Sequence, residues 1–125
     1  MGYANRHIET REIASIKDVA GSTVIWQETV PSGGFERNFL GAQLINGITP
    51  ATTTAGVVTI THTPSGGAAE TLGTITWSST QAAWTGVAMA ELAGSRRLGV
   101  GDKLSAVLTT APGAATTAIL KLWFE

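Results

Sequence analysis

Near its C-terminal end the chain alternates apolar and polar residues with a period of two, twice over. In residues 103–110, Leu104, Ala106 and Leu108 fall on one side and Lys103, Ser105, Val107 and Thr109 on the other. In residues 118–125, Ala118, Leu120, Leu122 and Phe124 share one face, and Ile119, Lys121, Trp123 and Glu125 the opposite face. Successive side chains of a strand point to opposite sides of its sheet, so this pattern requires extended backbone with one face buried. A turn signal, Ala111-Pro112-Gly113-Ala114, lies between the two stretches, and together they read as a half-buried hairpin.

The same grammar runs through the chain upstream. Residues 22–30 (STVIWQETV) are rich in β-branched side chains and end at Pro31-Ser32-Gly33-Gly34. The run NFLGAQLI within residues 35–48 closes on Asn46-Gly47, a tight-turn dipeptide. Gly56–Thr63 places Val58, Ile60 and His62 on one face and ends at Pro64-Ser65-Gly66-Gly67, and residues 71–78 (TLGTITWS) form the next strand. Residues 84–92 carry helix formers, but Gly86 and their alternation favour a strand paired with residues 71–78. Seven or eight short strands separated by turn clusters, with no βαβ rhythm, predict an all-β chain: an antiparallel β-sandwich of jelly-roll type.

Residues 1–21 differ in holding Arg6, Glu9, Arg11, Glu12, Lys17 and Asp18 within the first 18 positions. Ile8, Ile13, Ile16 and Val19 recur at near-helical intervals. Two readings stand: a first strand or short helix packed on the domain's own sheet, or an N-terminal arm that orders on a partner, leaving residues 22–125 as a single sandwich domain.

Composition narrows the function. With 8 basic and 9 acidic residues the chain has no electrostatic footprint for nucleic acid or an anionic membrane. No apolar run nears the roughly 20 residues that span a bilayer, and the first residues lack the apolar centre of a secretory signal. Charged residues make up only 14% of the chain against 43% hydrophobic ones. A surface so poor in charge suits burial against neighbouring subunits.

Chemistry-bearing groups are few. There is no cysteine, and the two histidines, His7 and His62, stand far apart. His62, on the face of Val58 and Ile60, reads as a core or interface histidine, and no nucleophile, metal or phosphate-loop motif is present. No cofactor or catalytic residue is expected, and the chain reads as a non-enzyme. Of the four tryptophans, Trp123 is the best candidate for exposure, because it lies opposite Leu120, Leu122 and Phe124. An exposed tryptophan on a sheet face marks a subunit interface or a sugar-stacking platform.

The stretches Gly73–Trp77 (GTITW), Thr85-Gly86, Leu98–Leu104 (LGVGDKL) and the closing strand 118–124 resemble the second half of small β-sandwich structural proteins of tailed phages, over about residues 72–125. The resemblance implies a non-enzymatic virion component, such as a capsid decoration or head-surface subunit, assembled in the host cytoplasm. Its partners would be a major capsid or other virion protein and further copies of itself, as in a trimer. The arm would then be the tether, anchored by Ile8, Ile13 and Ile16 and rimmed by Arg6, Arg11 and Glu12, and Ile119, Lys121 and Trp123 would form an oligomer or partner face. The alternative is a carbohydrate-binding or lectin-like module that stacks sugars on exposed tryptophans.

Overall fold

The computed structural model describes residues 9–16, 23–32, 37–46, 55–77, 82, 84–91, 97–110 and 118–125. These residues hold ten strands and no helix. Five strands come first: β1 (Glu9–Ile16), β2 (Thr23–Thr29), β3 (Arg37–Asn46), β4 (Gly56–Thr63) and β5 (Glu70–Trp77). Three short pieces follow, β6 (Gly86–Ala88), β7 (Ala90–Glu91) and β8 (Arg97–Leu98), and then β9 (Lys103–Thr110) and β10 (Ala118–Phe124).

Every ladder is antiparallel, and the ladders nest: β1 pairs with β10, β2 with β9, β3 with β6 and β4 with β5. Two further ladders join β10 to β3 and β9 to β4. The result is one layer in the order β1-β10-β3-β6 and a second in the order β2-β9-β4-β5-β7. The short β8 adds to the start of β3. The fold is an antiparallel β-sandwich.

The alternating residues fill the space between the layers. β10 buries Ala118, Leu120, Leu122 and Phe124, and β4 buries Val58, Ile60 and His62, so both strands show the period expected of one inward face. Phe39 and Leu44 of β3, Ile75 and Trp77 of β5, and Leu104 and Leu108 of β9 complete the core. Each such side chain contributes about 1.5–3 kcal/mol on burial, which is what holds two small sheets together without a disulfide.

Two expectations need correction. The strands over 103–110 and 118–125 exist, but they do not form a hairpin with one another: β9 lies between β2 and β4, and β10 between β1 and β3, in opposite layers. Period-two patterning tells which face is buried and not which strand lies alongside; here both faces are buried in one core from opposite sides. The stretch 84–92 is not one strand. Gly86–Ala88 pairs with β3 and Ala90–Glu91 with β5, so the chain changes layers at Met89, whose N–H donates to the Ala42 carbonyl at 2.9 Å. That crossing, with the two-residue β8, raises the strand number above the seven or eight expected. For residues 9–16 the pairing agrees with the first-strand reading: despite the near-helical spacing of its isoleucines, this stretch is the edge strand of the first layer. Turn 99–102 uses glycine where its backbone requires one, with Gly101 at φ 84°.

Candidate interaction site

β1 is positioned by β10, and their register decides where its charges go. Glu9 lies opposite Phe124, Arg11 opposite Leu122 and Ile13 opposite Leu120. Residues directly opposite in an antiparallel pair share a face, so Glu9, Arg11 and Ile13 point inward. Ile13 packs against the core. Thr10 and Glu12, opposite Trp123 and Lys121, point outward.

The inward charges meet partners from both layers. Arg11 Nε and Nη2 donate to Glu28 of β2 at 3.2 and 3.3 Å, and Nη2 also lies 3.3 Å from Glu9 Oε2. Arg37 of β3 donates to Glu9. Arg11 further places its guanidinium 5.9 Å from the centre of the Phe124 ring. The hydrogen bond from Arg37, with the nearby Arg11 charge, holds the Glu9 carboxyl below the usual range; the bond to Glu28 pushes Arg11 up. Edge strands that turn charges inward resist pairing with foreign strands.

Beneath this network lies a pocket of about 120 Å³. Its floor is Trp26, Val30, Leu98, Leu104 and Phe124. Trp26 and Phe124 meet with ring centres 6.2 Å apart, and Phe39 backs Phe124 at 5.7 Å. The more exposed Glu28, Pro31 and Arg37 form its mouth.

The outer face of the same layer carries the predicted trio. Ile119, Lys121 and Trp123 are all half-buried and line up with Ile45, Gln43 and Gly41 of β3. Lys121 pairs loosely with Glu12 at 3.9 Å. Ile45 in turn faces Gly86 across the β3·β6 ladder, with the Gln43 side chain lying over Gly86. Of the residues assigned to a partner-binding arm, Arg11, Glu12 and Ile13 sit in β1 as described, and so does the backbone of Ile16, whereas Arg6 and Ile8, like His7, lie outside the described residues.

Trp123 is not the exposed tryptophan. It is flanked by Thr10 and Gly41, while Trp77 is buried, Trp26 packs against the core and Trp84 is 74% exposed. Residue alternation misplaced that role because Trp84 stands just before the layer crossing, where period-two logic stops. His62 is a core histidine: it is 2% exposed and its Nε2 lies 2.8 Å from Asp102 Oδ2. Among the described residues no group of three or more His, Asp or Glu gathers as a metal-binding set, and no helix is long and apolar enough to cross a membrane. No family model matches the chain, and neither a curated protein nor a solved structure matches it.

Proposed function

We propose that this chain is a non-enzymatic structural subunit of a virus particle, a capsid decoration or head-surface protein that binds neighbouring shell proteins. The observation that carries this reading is the strand order. The nested pairs β1 with β10, β2 with β9, β3 with β6 and β4 with β5 are what one long antiparallel ribbon gives when it is wound into two facing layers. Such a winding supports a jelly-roll reading, an architecture used by viral capsid and lectin domains. The outer face of β10 and β3, where the half-buried Ile119, Trp123 and Ile45 surround Lys121, supports shell packing, since aromatic side chains are enriched at stable interfaces.

The test is cosedimentation of the purified chain with particles from the source that supplies the sequence. Saturable binding is expected, and Ile119→Asp should weaken it by placing a carboxylate beside Ile45 on the outer face. A chain that stays in the supernatant at every concentration overturns the proposal.

A lectin-like role is the second reading, favoured by the exposure of Trp84. Titration with a panel of glycans separates the two. Sugar stacking on Trp84 would change tryptophan emission, and a packing protein leaves it constant.

A further inference from the structure

Trp84 adopts φ 61°, in the left-handed region, which a bulky side chain rarely occupies. Glycine or asparagine would take that backbone without strain. The turn behind it is held by Thr85, whose Oγ1 donates to the Ala82 carbonyl at 2.6 Å. The indole it displays is the most exposed large apolar side chain among the described residues. Strain at a position whose ring is three-quarters exposed points to a use outside the molecule.

The pocket under the Arg11 network is the complementary feature. An apolar cavity of roughly 150 Å³ takes up a benzene ring, so about 120 Å³ suits the six-membered half of an indole. Trp26 and Phe124 would meet that ring, and the five-membered half would remain at the mouth with its N–H beside Glu28. The Glu28 carboxylate accepts two bonds from Arg11 and has lone pairs left for a third donor. Arg37 supplies a cation beside the aromatic ring.

The two features cannot meet within one molecule. The pocket lies at Arg37, the start of β3, whereas Trp84 lies beyond Gly86, which pairs with Ile45 near the other end. Eight residues of strand separate those positions by roughly 26 Å. We propose that Trp84 of one copy seats in the Trp26–Phe124 pocket of the next, joining copies end to end along β3. This inference rests on the assembly reading and names the self-contact in it. The contact is heterologous, with different surfaces on its two sides, so it propagates into a ring or a row.

Sedimentation velocity across a wide concentration range tests it. Wild-type chains associate. Trp84→Ser weakens association by about thirtyfold or more, as removal of a central interface tryptophan does. Val30→Phe fills the pocket from within and has the same effect; Pro31→Trp, at an exposed position, covers the mouth should Val30→Phe fail to fold. An equimolar mixture of Trp84→Ser with either pocket variant stops at a heterodimer, because only one complementary contact remains. A wild type that is monomeric throughout, a Trp84→Ser chain that associates normally, or a mixture that stays monomeric overturns the contact. Particle cosedimentation of Trp84→Ser reports the broader reading separately: retained binding leaves shell attachment standing whatever the self-contact does.

Discussion

His62 Nε2–H donates to Oδ2 of Asp102 across 2.8 Å, tying β4 to the turn that feeds β9. The ionised carboxylate can only accept, which places the imidazole proton on Nε2; Nδ1 has no hydrogen-bond partner among the described residues. Asp102 also accepts from the N–H groups of Ser65 and Gly99, both at 2.9 Å, and its own carbonyl accepts from Val30 N–H. One residue thus fastens two turns and a strand end at the pocket's edge of the sandwich.

Acid should loosen this clasp. The Ser65 N–H, then His62 and the Gly99 N–H, hold the Asp102 carboxyl below its ordinary value of 3.8. A carboxyl depressed in the folded state contributes stability that is complete above its unfolded value and is lost as pH falls through the folded one. Melting temperatures should therefore be flat above about pH 5 and fall below about pH 4. Asp102→Asn should lower stability at neutral pH by about 1–3 kcal/mol, through weaker bonds to the Ser65 and Gly99 N–H groups and to the buried His62, and should flatten the acid limb. Equal acid slopes for the two proteins would assign the effect to other carboxylates, Glu9 first among them.

The layer crossing at Met89 depends on a missing side chain. A Cβ on Gly73 would stand 2.5 Å from the Ala90 carbonyl oxygen and 2.6 Å from Met89 Cγ, so backbone must move to admit it. Gly73→Ala should cost about 1–3 kcal/mol in urea unfolding, the range of overpacking. Gly86→Ala is the control. Its Cβ would meet the end of the Gln43 side chain, which can swing aside, so the loss there should be clearly smaller. Similar losses at both glycines would mean that the crossing is not packed as described.

Neighbouring residues of β10 should behave oppositely. Leu120 is completely buried and Lys121 faces out toward Glu12 at 3.9 Å. Leu120→Ala should cost about 2–5 kcal/mol, and Lys121→Ala less than about 1 kcal/mol. Thermal and urea unfolding of the two variants read the register directly; comparable losses would mean that β10 is shifted by one residue.

That alternation explains what could be read without a structure. Val58, Ile60, Leu104, Leu120 and Leu122 were legible as core, because a strand's period is set by its own backbone. Strand neighbours were not legible, since β9 and β10 carry the same pattern in opposite layers. The pocket was hidden for a related reason: Glu9, Arg11, Glu28 and Arg37 come from three strands, and only the β1·β10 register turns the first two inward. The Asp102 clasp joins residues 40 positions apart, and Gly-Asp in a turn gives no sign of a histidine partner. Trp84 was masked by neighbours that look like a regular strand or helix.

The Arg11–Glu28 bridge should matter more to solubility than to stability. It spans the open edge between β1 and β2, and both side chains keep about a third of their surface in water. A double-mutant cycle with Arg11→Ala and Glu28→Ala should give a coupling of about 0.2–1 kcal/mol, shrinking as salt rises toward 1 M. Replacing both by leucine should keep the melting temperature within a few degrees, because apolar side chains there continue the Trp26–Phe124 surface. The same exchange removes the inward charges that guard two edge strands, so light scattering at rising concentration should show the double leucine protein forming irregular aggregates that wild type does not. If it remains as soluble as wild type, the charges at this edge serve the pocket alone.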